Sequence, residues 1–130
     1  MFAPGRGKVS PPAAGIAPHN APMALSHAHP LDTIDLRPLG ESLAATPSTS
    51  LIKTESLQLM RVVLRLGETF AEHRVPGEIT VHCLEGEAAL STPTRECLLS
   101  AGQLVLLAGG EPHGLRGITD TSLLVTLRLE

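Results

Sequence analysis

From residue 50 to the C-terminus, short apolar segments alternate with turn residues. This spacing restricts the possible folds of the chain more than any other feature of the sequence. Turns recur about every eight to 12 residues, which is typical of an all-β sandwich or barrel. Helical periodicity is scarce, and residues 41–46 (ESLAAT) form the one plausible helical turn. We therefore expect an all-β domain.

Several segments show the two-residue period of strands with one face in a core. These segments are residues 57–66, followed by Gly67; residues 79–84 (ITVHCL), followed by Glu85-Gly86; and residues 122–129, next to the C-terminus. The side chains expected to face inward are Met60, Val62, Leu64, Leu66, Ile79, Val81, Cys83, Leu123, Val125, Leu127 and Leu129. Thr80, His82 and Leu84 share the opposite face of their strand.

Two further segments are predicted from their flanking turns. Residues 87–90 and 95–99 flank STPT, whose Pro93 suits a turn, so they predict a hairpin. Residues 104–107 (LVLL) lie between Gly102 and the Gly109-Gly110 pair and predict a fully buried strand.

The composition excludes several classes of function. Ten basic against 13 acidic residues give a net charge of −3, which provides no basic field for nucleic acid or anionic lipid. With no Trp or Tyr and only Phe2 and Phe70, bases have no stacking platform. No apolar run approaches membrane-spanning length, and the first residues do not resemble a signal sequence, so we expect a cytoplasmic protein. In that compartment, Cys83 and Cys97 are expected to be free thiols.

The N-terminal part has a different character from the rest. Eight of the 11 prolines but only six charged residues fall in residues 1–50. We expect residues 1–22 to be a disordered Pro/Ala-rich arm, residues 23–49 a partly ordered extension, and residues 50–130 the barrel. Met23 is a second candidate start. His27 and His29 (SHAHP) precede the barrel and are expected to be solvated.

Two stretches carry a family resemblance. Residues 67–87 (GETFAEHRVPGEITVHCLEGE) place His73 after Gly67 and five residues, with Gly86 at the later glycine position. Residues 102–113 (GQLVLLAGGEPH) supply the second set, Gly102, Gly110 and His113, with Ala108 in place of a proline. Their order and separation resemble the two motifs of the cupin superfamily over about residues 50–130. The resemblance implies a jelly-roll β-sandwich or barrel, in this case a small single-domain cupin.

In that family, two histidines and a glutamate from the first motif and one histidine from the second hold a divalent metal. Here the resemblance carries over only His73 and His113, because Val75 and Ile79 occupy the other two positions. Catalytic zinc sites and open iron sites usually take three protein ligands. A tightly held Zn, Fe, Ni or Mn ion would therefore need a substitute ligand.

His82, Glu78, Cys83 and Glu72 are the candidates for that substitute. Strand alternation puts Cys83 on the inner face and disfavours His82 and Glu78. A bulge at Pro76-Gly77 would reverse this order. Without a third ligand, His73 and His113 are interpreted as a hydrogen-bonded pair, and Cys83 as a core side chain.

The sequence leaves two functions open, a non-catalytic module that binds or senses a small molecule and a metal-dependent enzyme of dioxygenase, isomerase or lyase type. Mostly apolar walls with a few polar groups describe a small-molecule site. The expected pocket walls are Val62, Leu64, Val75, Ile79, Val81, Cys83, Leu106 and Leu115. We also expect a homodimer, because Thr80, His82 and Leu84 make an unusually apolar outer face and exposed sheet edges favour pairing.

Overall fold

The computed structural model describes residues 27–129 and contains, in that range, nine β-strands and one short 3₁₀ helix, Gly40–Ala45. The strands are β1 (Thr49–Lys53), β2 (Leu57–Leu64), β3 (Thr69–His73), β4 (Ile79–Glu85), β5 (Glu87–Ser91), β6 (Glu96–Ser100), β7 (Leu104–Leu107), β8 (His113–Gly117) and β9 (Thr121–Arg128). Over the same residues, no helix is long and apolar enough to cross a membrane. The expected arm, residues 1–22, lies outside the described residues.

The strands form two antiparallel sheets that enclose one core. The five-stranded sheet has the order β1-β2-β9-β4-β7, and the four-stranded sheet has the order β3-β8-β5-β6. Strands distant in sequence are thereby neighbours, as β2 and β9 are. The all-β jelly-roll class is confirmed, as are the β5–β6 hairpin and the helical turn.

Strand alternation builds the core as the sequence predicts. In β4, Ile79, Val81 and Cys83 are buried, whereas the alternating positions are half-buried. Register then aligns Val81 with Val125 of β9 and Val105 of β7 across the sheet. The buried side chains of the four-stranded sheet, including Leu90 and Leu115, close the other side of the same cluster.

Two strand predictions are wrong in detail. Residues 104–107 are not fully buried, because β7 is an edge strand of the sheet and alternates like the others. Leu104 and Leu106 are 63% and 62% exposed, while Leu107 is buried. The expected strand 57–66 ends at Leu64, since the Arg65 carbonyl oxygen accepts the Glu68 N–H in a turn, and Leu66 is 71% exposed.

Residues 27–48, here named the N-terminal strap, contact the five-stranded sheet at several points. The Ala28 N–H donates to the Leu51 carbonyl oxygen on the edge strand β1 (3.0 Å). His27 therefore differs from the expectation of a solvated side chain: it is half-buried, with Nε2 3.0 Å from the Ser50 hydroxyl. His29 is exposed, as expected. The strap thus extends the ordered part of the molecule beyond the two sheets.

Candidate functional site

His113 begins β8 and lies against the core. Its side chain is only 3% exposed, and it has the same strand phase as the buried Leu115. The ring Nδ1 is 3.1 Å from the carbonyl oxygen of Glu111. Because a carbonyl oxygen only accepts hydrogen bonds, Nδ1 carries the proton, and in the neutral ring Nε2 presents a lone pair. The loop before β8 thus fixes both the position and the tautomer of this imidazole.

The backbone brings the two motif histidines to neighbouring strands. β3 and β8 pair antiparallel, and His73 stands opposite His113 in the register. An irregularity in the pairing falls between Phe70 and His73, at the end of β3. The two motifs therefore meet at one end of the four-stranded sheet, as a shared site would require.

Apolar side chains stand at the two other motif positions. Ile79 is 2% exposed and belongs to the core, and Val75 is half-buried and packs against it. Neither side chain can donate an electron pair to a metal ion.

Three candidates for a substitute ligand, His82, Glu78 and Cys83, differ in burial and in their position relative to β4. His82 is half-buried on the outer phase of β4, and Glu78 is exposed just before that strand. Cys83 is fully buried, where its thiol lies 3.4 Å from the carbonyl oxygens of Glu85 and Gly86. Burial raises the pKa of the Cys83 thiol. It is therefore a protonated hydrogen-bond donor, not a thiolate ligand.

Two of the candidate ligands, His73 and Glu72, have side chains outside the part of the chain that the structure describes. Among the side chains that the structure describes, no three histidine, cysteine, aspartate or glutamate residues come together as a metal-binding group. A catalytic zinc or non-haem iron site takes three protein ligands. His113 has a well-defined position for such a site, but Val75 and Ile79 contribute none of the remaining ligands.

Most of the expected pocket walls lie inside the closed core. Buried core residues account for six of them: Val62, Leu64, Ile79, Val81, Cys83 and Leu115. Leu106 differs from its expected inward orientation, because the inner phase of β7 belongs to Val105 and Leu107. Leu106 nevertheless borders an open cleft at the seam between β6 and β7.

This cleft has a volume of about 220 Å³ and lies between the β5–β6 turn and the loop before β8. Its charged residues, Arg95 and Glu111, were not identified from the sequence. They lie in two separate turns, and strand periodicity gives no information on turn residues. Glu111 connects the cleft to His113, since the Glu111 carbonyl oxygen holds the buried imidazole.

Comparisons with solved structures agree with this fold. A cupin superfamily protein from Desulfitobacterium hafniense superposes with a TM-score of 0.62 at 18% identity, covering 64% of this chain and 76% of that one. A conserved protein from Streptococcus pyogenes gives 0.65 at 20% identity, covering 85% and 98%. A protein from Thermus thermophilus gives 0.58 at 26% identity, covering 63% and 81%.

Of the two sequence comparisons, the one with family models identifies the family. No curated protein matches this chain closely enough to count as a relative. The family model described as a cupin domain matches residues 60–127, which include both motif stretches from Gly67 to His113. The chain therefore belongs to the cupin family.

Proposed function

We propose that this cupin barrel binds a small organic ligand and holds no divalent metal tightly. The observation that carries the proposal is the buried, uncharged environment of Ile79, which is 2% exposed at the position of the family's carboxylate ligand. A metal ion there would lack both its third protein ligand and a compensating charge.

His113 is the polar group that such a barrel offers from within. The Glu111 carbonyl oxygen accepts its Nδ1–H, so the ring has a fixed orientation beside a mostly apolar core. A small-molecule site typically combines apolar walls with a few placed polar groups. His113 and the adjacent cleft together have this character.

A metal-dependent enzyme of dioxygenase, isomerase or lyase type is the second candidate. It is favoured by one observation, the register that places His73 opposite His113 at the shared end of β3 and β8. Two histidine positions on neighbouring strands would supply a partial ligand set. This function would need a third donor from the chain or from a bound substrate.

Thermal unfolding with and without chelator separates the two candidates. A bound metal stabilises the folded state by mass action, so its removal lowers the midpoint. We expect chelated and untreated protein to unfold together, and added Zn²⁺, Ni²⁺ or Mn²⁺ to shift the midpoint little. His113→Ala should cost about 1–3 kcal/mol from the lost hydrogen bond, in the presence or absence of metal. A midpoint that falls on chelation in the wild type but not in His113→Ala would support the enzyme instead.

A further inference from the structure

The cleft at the β6–β7 seam combines an apolar floor with charged groups at its border. Leu90 and Leu107, which belong to the core, and Val105, which packs against it, line the floor. Arg95, in the turn between β5 and β6, and Glu111, in the loop between β7 and β8, line the same cleft. The two charges therefore reach one space from different parts of the chain.

Neither charge has an ionic partner among the residues that the structure describes. Within residues 27–129, the Arg95 guanidinium and the Glu111 carboxylate form no ion pair or side-chain hydrogen bond, with each other or with a third group. By contrast, Arg116 on β8 lies 3.6 Å from Glu96 on β6. A guanidinium presents a planar fork suited to a carboxylate, and a carboxylate accepts hydrogen bonds from an ammonium group.

The volume limits the size of a ligand. The cleft has a volume of about 220 Å³. Drug-sized ligands occupy pockets of about 300 to 1,000 Å³. The space therefore fits a molecule the size of a single amino acid, with its apolar part over Leu90, Val105 and Leu107.

We propose that this cleft binds a free α-amino acid with an apolar side chain, with Arg95 binding its carboxylate and Glu111 its ammonium group. The proposal rests on the proposed function, because it names the ligand class of the same barrel. The Glu111 backbone carbonyl also holds His113, so a ligand at Glu111 lies next to the buried imidazole. The apolar floor favours a branched aliphatic side chain over a polar one.

The chain contains its own reporter for this site. Of its two cysteines, Cys83 is fully buried, whereas Cys97 is half-buried and lines the cleft. A ligand in the cleft should therefore slow alkylation of Cys97 by iodoacetamide. Three probes share one apolar skeleton: L-leucine carries both charges, 4-methylpentanoate only the carboxylate, and 3-methylbutylamine only the ammonium.

We expect L-leucine to protect Cys97 at concentrations about tenfold or more below those needed for either single-charge probe, since each pairing involves a charged hydrogen bond. Arg95→Gln should weaken protection by L-leucine and 4-methylpentanoate about tenfold and leave 3-methylbutylamine unchanged. Glu111→Gln should weaken protection by L-leucine and 3-methylbutylamine about tenfold and leave 4-methylpentanoate unchanged. Arg128→Gln, an exposed substitution outside the cleft, is the matched control.

Two outcomes would overturn the proposal. Equal protection by all three probes, or protection unchanged in Arg95→Gln and Glu111→Gln, would leave an apolar cleft without amino-acid recognition. No protection by any probe at millimolar concentration would remove the site altogether. Neither outcome depends on metal, so both are distinct from a failure of the proposed function, which appears as a midpoint that falls on chelation.

Discussion

The Glu85 carboxylate joins the N-terminal strap to the five-stranded sheet. Its Oε2 accepts the Leu39 N–H (2.8 Å) and the Ser122 hydroxyl (2.6 Å), and its Oε1 accepts the Gly40 N–H (3.1 Å). From the sequence, Glu85 is only the residue that closes a strand with Gly86. Its strap partners precede it by 45 or more positions, so no local pattern predicts this contact.

These contacts determine how Glu85 titrates. Burial alone would raise the pKa of the Glu85 carboxyl, but the hydrogen bonds from Ser122, Leu39 and Gly40 and the charge of Arg61 outweigh it. The net effect lowers the pKa below its ordinary value of 4.5. A carboxyl with a lower pKa in the folded chain adds stability above its unfolded pKa, and this stability is lost as the pH falls.

We expect Glu85→Gln to lower the free energy of unfolding at neutral pH by about 1–3 kcal/mol, because the amide replaces one carboxylate oxygen with an NH₂ group, which cannot accept a hydrogen bond. The variant should also lose less stability than the wild type as the pH falls through and below about 4.5. Urea unfolding over the acid range measures both effects, with the exposed Glu55→Gln as control. Identical acid dependence in wild type and Glu85→Gln would contradict this role.

At the scale of strands and turns, the sequence is informative where neighbours on both sides fix a strand. β4 and β9 are interior strands of the sheet, and their alternation predicts which side chains are buried. β7 reads as a continuous apolar run, and only its position at the sheet edge shows that Leu104 and Leu106 face outward. Edge position depends on strand order, which periodicity does not contain.

The turn at Gly86 gives a prediction at this scale. Gly86 has φ +77°, and a Cβ there would overlap the Asp120 carbonyl oxygen. Gly102 has a similar φ of +89° but nothing within 4 Å of an added Cβ, so it is a matched control. We expect Gly86→Ala to cost more than about 1 kcal/mol beyond Gly102→Ala in urea unfolding, because only the first variant adds a clash to the backbone strain. Equal losses of unfolding free energy in the two variants would contradict this prediction, because they would show that the turn shifts to relieve the clash.

At the scale of the whole molecule, the outer face of the five-stranded sheet is unusually apolar. Register aligns Leu124 of β9, His82 of β4 and Leu104 of β7 in one row across this face. His82 and Leu124 are half-buried, and Leu104 is 63% exposed. The strap covers the other end of the sheet, at β1. Among residues 27–129, no segment outside the sheet is hydrogen-bonded over this face at β7.

We expect this face to pair two copies of the chain in a homodimer, because burying exposed leucines at an edge strand favours association. Leu104→Glu should shift sedimentation toward the monomer without changing the fold. Leu98→Glu is the control, since Leu98 is similarly exposed (67%) on the four-stranded sheet. Leu104 is preferred to Leu106, which also borders the cleft. A wild-type protein that sediments as a monomer at tens of micromolar would contradict the dimer.

The candidate site forms only when the whole molecule folds. The sequence identifies His113 through its motif, and the structure shows that it is buried, with a fixed tautomer. Arg95 and Glu111 border one cleft only because β6 and β7 lie at adjacent edges of the two sheets. That proximity is a property of the closed sandwich, and no segment of the chain carries a signal for it.

The metal content of the full-length protein, purified without added metal and analysed by plasma mass spectrometry, decides between the ligand-binding barrel and the metal enzyme. We predict well below one Zn, Fe, Ni or Mn ion per chain, because Ile79 is 2% exposed where a carboxylate ligand would be needed. One ion per chain, retained through dialysis against a strong chelator, would contradict the proposal and identify the barrel as a metal site.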